Sequence, residues 1–173
     1  MQRADHDLAF MLQYENIAWY EDGKVKILDR RIYPARVEFV TCGTHQEVAQ
    51  AITDMVTQSA GPYTAVPMGM ALAAHECRDK TAAEQMEYLR KAAHTISHAR
   101  PTTVKRMALL CDLCLAEAER ALAAGEDTAQ AIVNKTVELN NTRYERVAKI
   151  GKYLVDLFPE NGTVMTHCFA ETI

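Results

Sequence analysis

The sequence predicts a mainly α-helical fold, in which a small antiparallel β-hairpin precedes a helical bundle and the last residues form the first strand of an α/β domain. Three observations support this. Capping residues and apolar residues at helical spacing recur from residue 44 to residue 158. The turn-forming pair Asp22-Gly23 lies between two short apolar runs. A β-branched, apolar run from Thr163 to Cys168 follows the turn-forming residues 159–162.

These patterns divide the chain into three segments. We expect a β-hairpin lid over residues 1–43, a helical domain over residues 44–158, and the start of a truncated α/β domain over residues 159–173. Within the lid, the strands are predicted at Ile17–Tyr20, Lys24–Leu28 and Val37–Val40.

Five helices are predicted in the second segment. Thr44 with Glu47, and Thr81 with Glu84, have the spacing of capping boxes, and Gly125 is a typical helix stop. The predicted helices are Gln46–Thr57, Tyr63–Cys77, Thr81 to about His98, Pro101–Gly125, and Ala129 to about Phe158.

The composition excludes several classes of function. The net charge is −4 and no basic run is present, which argues against a nucleic-acid partner. No apolar run approaches the roughly 20 residues of a membrane span. The N-terminus has no apolar signal core, so we expect a cytoplasmic protein without a membrane partner.

The five cysteines predict free thiols rather than disulfides. Cys111 and Cys114 form a C-x-x-C pair within a helical pattern, so we expect them to be small core residues and not a redox or zinc pair. His94 and His98 are spaced i, i+4, but no third ligand is evident. We therefore predict no metal site and no cofactor.

The first candidate site is a small-residue loop, defined as Gln58, Ser59, Ala60 and Gly61, which precedes a helix. Backbone N–H groups at a helix start, together with nearby hydroxyl groups, can bind phosphate. The alternative is an ordinary packed turn between two helices.

Two further sites lie elsewhere in the chain. Arg100 precedes Pro101 at a helix start, where a guanidinium suits phosphate, although a solvated arginine beside a capped helix is equally compatible. Cys168 ends the last predicted strand, and there a cysteine is either a buried apolar residue or a thiol acting in proton transfer or nucleophilic attack.

Several segments in order resemble the methylthioribose-1-phosphate isomerases. They are Ala18-Trp-Tyr-x-x-Gly-Lys-Val-x-Ile-Leu-Asp-Arg-Arg-x-Tyr-Pro34, Ala51-Ile-x-Asp-Met55 with the small-residue loop, the Met70-Ala-Leu-Ala-Ala helix, Arg100-Pro-Thr102, and Gly162-Thr-Val-Met-Thr-His-Cys168. The resemblance spans residues 14–173. The same family includes ribose-1,5-bisphosphate isomerase and the α, β and δ subunits of initiation factor 2B.

The resemblance implies a helical N-terminal domain and a Rossmann-like C-terminal domain with a sugar phosphate bound between them. It implies an aldose–ketose isomerase of methionine salvage, an intramolecular oxidoreductase, that is a homodimer when complete. Cys168 would be the catalytic thiol, working with an aspartate much later in the chain, and Arg100 would face the phosphate. We therefore expect these 173 residues to be inactive alone.

Two departures from the isomerase pattern suggest a divergent branch. Gln58 stands where the isomerases carry an arginine before their small residues, and Cys168-Phe-Ala-Glu171 replaces Cys-Asn-Ala-Gly. The loss of a guanidinium removes an expected substrate contact. The alternative function is therefore a non-catalytic regulatory subunit that senses a sugar phosphate or nucleotide, as in initiation factor 2B.

Overall fold

A three-stranded antiparallel sheet forms the first part of the computed structural model, which describes residues 3–163 and 165. A 3-10 turn at Phe10–Leu12 and the short helix α1 (Tyr14–Ile17) lead into it. The strands are β1 (Ala18–Glu21), β2 (Lys24–Leu28) and β3 (Phe39–Cys42), in the order β1-β2-β3. The antiparallel hairpin is as predicted, although its first strand begins at Ala18 and not at Ile17, because Ile17 is the last residue of α1.

The hairpin turn has the backbone that its sequence predicts. Asp22 and Gly23 both have positive φ, 49° and 72°, as a two-residue turn between twisted strands requires. The third strand differs from the prediction, because it begins at Phe39 and not at Val37. The ladder pairs Leu28 with Phe39, so Val37 precedes it and is 55% exposed.

Five longer helices follow the sheet. They are α2 (His45–Thr53), α3 (Pro62–Glu76), α4 (Ala82–Ser97), α5 (Val104–Ala124) and α6 (Thr128–Val155), with a 3-10 turn at Pro101–Thr103 before α5. Both predicted capping boxes are present, at Thr44 and Thr81. Gly125 ends α5 in the left-handed conformation, and the Asp127 side chain caps α6.

Helix α3 is the centre of the fold. It packs against α2, α4, α5, α6 and β1, and it is buried along nearly its whole length, as expected for a helix that is apolar on every side. Its small residues allow close approach: a Cβ at Gly69 would lie 2.9 Å from Val48 Cγ1 and 3.1 Å from Ile96 Cδ1. Apolar side chains of the sheet, including Val25 and Ile27, join the same core.

The predicted fate of the C-x-x-C pair is confirmed. Cys111 and Cys114 lie in α5 with exposed fractions of 2% and 1%. Burial raises the pKa of Cys111 to about 12 and also raises the pKa of Cys114. Both are therefore protonated, apolar core residues.

The end of the described chain differs in part from the prediction. The turn before Gly162 is present, at Glu160 and Asn161. Of the predicted buried strand, only Thr163 and Met165 are described; neither has regular secondary structure, and Met165 is 94% exposed. The exposure of Met165 differs from the predicted burial, and residues 164 and 166–168 of the predicted strand lie outside the described residues. The division of the chain into three domains stays a prediction.

Candidate functional site

Two of the predicted site segments lie against each other. Nη2 of Arg100 donates a hydrogen bond to the Thr57 carbonyl oxygen at 3.3 Å and also contacts Sδ of Met55. Thr57 directly precedes the small-residue loop, so the folded chain brings the Arg100 guanidinium to that loop. Within the part of the chain that the structure describes, the buried Nε atom of Arg100 has no hydrogen-bond partner.

The backbone on both sides of Thr57 is strained. Met55 has φ 60° and Ser59 has φ 53°, a conformation that few residues other than glycine adopt. Met55 ends α2 early, because its N–H bonds to the Ile52 carbonyl at 3.3 Å while the Val56 N–H bonds to the Ala51 carbonyl at 3.0 Å. The prediction that this helix reaches Thr57 is therefore wrong. Such strain persists where surrounding structure enforces it, often at ligand sites.

Gly61 makes the loop compact. A Cβ on Gly61 would lie 2.1 Å from Thr57 Oγ1 and 3.0 Å from the Gln58 carbonyl oxygen. Ala60 is also buried, whereas Gln58 and Ser59 are partly exposed. The Gln58 side chain donates a hydrogen bond back to the Met55 carbonyl at 3.2 Å. The small residues thus allow the loop to fold tightly on Thr57.

The amides at the start of α3 are mostly used within the turn. The N–H groups of Gly61, Tyr63, Thr64 and Ala65 bond to carbonyl oxygens of residues 58–61 at 2.9 to 3.0 Å. Thr64 is fully buried, and its hydroxyl accepts a hydrogen bond from Asn140 Nδ2 at 3.4 Å. These groups favour the packed-turn alternative for the loop backbone. Binding capacity here therefore depends on side chains around the loop.

A narrow cavity opens beside the small-residue loop. Its volume is about 10 Å³, which accommodates about one water molecule or one group of similar size. Its lining comes from the N-terminal segment, the end of β2, the loop and α6: Met11, Asn16, Ile17, Leu28, Arg30, Thr57, Ala60, Gly61, Arg143 and Tyr144.

Two arginines lie in the wall of the cavity. Arg30 and Arg143 line it, whereas no aspartate or glutamate does so within the described part of the chain. The Arg30 N–H also bonds to the Val56 carbonyl oxygen at 2.8 Å, which ties the end of the sheet to the segment just before the loop. Together with Arg100, three arginines surround the loop. A site of this kind attracts an anion.

Sequence reasoning missed Arg30 and Arg143 as site residues. Arg30 follows a strand and Arg143 lies in the middle of α6, so neither is near the loop in sequence. No local motif marks them, and only tertiary packing places them together. Cys168, the predicted catalytic residue, lies outside the described residues.

A second buried polar cluster lies at the opposite end of α3. His45 Nδ1 is 2.5 Å from Glu76 Oε2, and the Tyr88 hydroxyl donates to the same oxygen at 3.1 Å. Burial acts to raise the Glu76 pKa, but hydrogen bonds from His45 and Tyr88 outweigh it, so that the pKa is lowered. This cluster links the start of α2 and the end of α3 to the middle of α4.

The histidine pair noted in the sequence lies at the end of α4. The rings of His94 and His98 stack with centroids 4.1 Å apart, and His98 Nδ1 lies 2.9 Å from the His94 carbonyl oxygen at the end of α4. Within residues 3–163 and 165, no three His, Cys, Asp or Glu side chains are grouped as metal ligands would be. Over the same residues, no helix combines the length and apolarity that a membrane crossing requires.

Two curated proteins with similar sequences have the same name, methylthioribose-1-phosphate isomerase. The methylthioribose-1-phosphate isomerase of Carboxydothermus hydrogenoformans is 31% identical over 156 residues, which cover 88% of this chain and 44% of that protein. The corresponding isomerase of Natranaerobius thermophilus is 28% identical over 152 residues, covering 86% and 44%. The chain thus spans less than half the length of these curated relatives.

Solved structures agree on the fold. The translation initiation factor eIF-2B, subunit delta, from A. fulgidus superimposes with a TM-score of 0.69 at 26% identity, covering 84% of this chain and 42% of that one. The 5-methylthioribose 1-phosphate isomerase from Pyrococcus horikoshii OT3 has a TM-score of 0.68 at 23% identity, which supports the fold alone. The family model of the initiation factor 2 subunit family matches residues 60–173, about two-thirds of the sequence. The chain therefore belongs to the initiation factor 2 subunit family.

Proposed function

We propose that the chain is the N-terminal, phosphate-binding part of an aldose–ketose isomerase that acts on a phosphorylated pentose or thiopentose. The contact between Arg100 and Thr57 is the main support, because it holds a guanidinium against the residue that precedes the tightly folded loop and that also lines the cavity beside it. A guanidinium binds phosphate with charge-assisted hydrogen bonds. We propose this class of sugar because the curated relatives are named methylthioribose-1-phosphate isomerases.

In this proposal the loop and Arg100 hold the phosphate, and Cys168 moves hydrogen between adjacent sugar carbons as an acid or base. Holding the phosphate fixes the reacting carbons relative to the thiol, which is the main advantage of a remote anchor. The role of Cys168 rests on the resemblance. Since the resemblance assigns a catalytic aspartate outside these residues, we propose that the 173 residues bind sugar phosphate without turning it over.

Further parts of the proposal have separate support. We place the protein in the cytoplasm because Cys42, Cys77, Cys111 and Cys114 are free, buried thiols, as expected under reducing conditions. We propose a homodimer for the complete protein on the resemblance alone.

The second candidate function is a regulatory subunit that senses a sugar phosphate or nucleotide. Two observations favour it: Gln58 replaces the arginine of the isomerases, and eIF-2B subunit delta is among the structural relatives. Under this alternative the same site binds a phosphate but no isomerisation follows.

Turnover of methylthioribose 1-phosphate by the complete protein, in which the chain is joined to the C-terminal domain that the resemblance implies, separates the two functions. The isomerase proposal predicts turnover that falls by about 10²- to 10⁴-fold in Cys168→Ala, the usual range for loss of an acid or base. Cys42→Ala is the matched control, because Cys42 is buried in β3, and its kcat should change little. Equal turnover by Cys168→Ala would remove this thiol from the mechanism. Phosphate binding without turnover would favour the sensing function.

A further inference from the structure

The Arg143 guanidinium has an unusual environment. Its Nε and Nη1 atoms are both buried, yet neither has a hydrogen-bond partner among residues 3–163 and 165. The guanidinium carbon lies 5.1 Å from the centroid of the Tyr144 ring, and the charge also acts on the Tyr14 hydroxyl. Burying a charged donor without an acceptor is costly, and native proteins rarely leave one so unless a ligand or water satisfies it.

The position of Arg143 identifies the kind of group that would satisfy it. Arg143 lines the same cavity as Thr57, Ala60 and Gly61, and the described lining contains a second arginine, Arg30, and no carboxylate. Arginine is always charged and only donates hydrogen bonds, so its partner must be an acceptor and is best an anion. The cavity has room for a group about the size of one oxygen atom with its hydrogens.

Thr57 connects this cavity with Arg100. Its carbonyl oxygen accepts the bond from Arg100, while the residue itself lines the cavity beside Arg143. Two guanidinium groups from distant parts of the chain thus adjoin the same residue. The loop has no cation of its own, and Gln58 is engaged with the Met55 carbonyl oxygen.

We infer that Arg143 is a second anion-binding residue of this site, which receives one oxygen of a phosphate monoester through the cavity beside the small-residue loop. The inference rests on the proposed function and extends it, because it assigns part of the phosphate recognition to α6. Arg143 thereby supplies, from a helix, a guanidinium that the loop lacks.

The test uses binding of ribose 1-phosphate to the 173-residue chain, measured by calorimetry. Arg143→Met removes the charge but keeps an unbranched side chain of good helix propensity, and Arg143→Lys keeps the charge. Loss of a charge-assisted hydrogen bond should weaken binding by about 10- to 100-fold in Arg143→Met and by less in Arg143→Lys. Arg36→Met is the matched control, since Arg36 is 73% exposed and pairs only loosely with Glu38 at 3.8 Å.

Two further measurements separate binding from a structural role. Without ligand, the melting temperature of Arg143→Met should equal or exceed that of the wild type, because a buried charge without an acceptor is removed. In the wild type, the Nε–H resonance of Arg143 should shift and saturate as inorganic phosphate or ribose 1-phosphate is added, while that of Arg36 does not.

The outcomes are distinct. If the wild type binds and Arg143→Met binds equally tightly, or if the Arg143 resonance does not move at saturation, this inference is overturned while the proposed function stands. If Arg143→Met melts at a lower temperature without ligand and binds normally, Arg143 has only a structural role with Tyr144. If the wild type binds no phosphate monoester, both the inference and the proposed function fail.

Discussion

The Thr57 carbonyl oxygen accepts a hydrogen bond from Nη2 of Arg100 at 3.3 Å, which joins two segments 43 positions apart. The sequence marks each segment separately as a possible phosphate site. Their contact places the two segments side by side, next to a narrow cavity that is lined by Arg30 and Arg143.

Gly61→Ala should destabilise the protein by about 1–3 kcal/mol, the usual cost of overpacking a tight site. The added methyl group would lie 2.1 Å from Thr57 Oγ1, so the loop or Thr57 must move. The free energy of unfolding in urea measures the effect. Gly151→Ala is the control: its added methyl group meets nothing within 4 Å in α6, and it should stabilise by about 0.5–1 kcal/mol. A neutral Gly61→Ala would contradict the packing described.

Thr57→Ala should reduce the cost of Gly61→Ala, because it removes the hydroxyl that the new methyl group meets. The two changes should therefore be non-additive, with a coupling free energy above about 0.5 kcal/mol in a double-mutant cycle. Urea unfolding of the two single variants and the double variant provides the measurement. Simple additivity would mean that Thr57 is not the group that makes Gly61 necessary.

Glu76→Gln should lower stability at neutral pH by about 1.5–3 kcal/mol, since it replaces a carboxylate that accepts hydrogen bonds from His45 and Tyr88. The lowered pKa fixes the sign of the pH dependence. A carboxylate whose folded-state pKa lies below its usual 4.5 stabilises the protein above that pH, and the contribution is lost as the pH falls through the folded-state pKa.

Melting temperatures at pH 7 and at pH 3 test this. The difference between wild type and Glu76→Gln should be large at pH 7 and should shrink in acid. Glu87→Gln is the matched control, because Glu87 pairs with Lys91 on the exposed face of α4, and its melting temperature should change little. A difference that grows in acid would reverse the assigned sign.

Cys111 and Cys114 should resist alkylation in the folded protein. Both thiols are buried and protonated, and the thiolate is the reactive species. Iodoacetamide at pH 8, followed by peptide mass spectrometry, should modify them only after unfolding in urea. Rapid labelling of the native chain, or a Cys111–Cys114 disulfide under mild oxidation, would show that this segment is open to solvent.

Locally encoded features could be predicted from the sequence. The capping boxes at Thr44 and Thr81 and the hairpin turn at Asp22-Gly23 depend on residues a few positions apart, so their patterns are visible in one segment. The early end of α2 could not be predicted in this way. Met55 adopts a left-handed backbone that its residue type disfavours, and only the surrounding fold enforces it.

The candidate site could be predicted only in part. Arg100 and the small-residue loop have recognisable chemistry, but their contact depends on tertiary packing. Arg143 has no signal of its own, because a lone arginine within a helix usually faces solvent. Its importance comes from burial of its donor atoms next to a loop more than 80 positions earlier, which no local pattern contains.

Binding of methylthioribose 1-phosphate to the 173-residue chain tests the central claim, that Arg100 and the small-residue loop form a phosphate site. Calorimetry should show binding of this compound but not of unphosphorylated methylthioribose. Arg100→Gln should weaken binding by about tenfold or more, as loss of a charge-assisted contact predicts, while Arg36→Gln, on an exposed arginine, leaves it unchanged. Equal affinity of Arg100→Gln and wild type, or equal binding of the two sugars, would contradict the account.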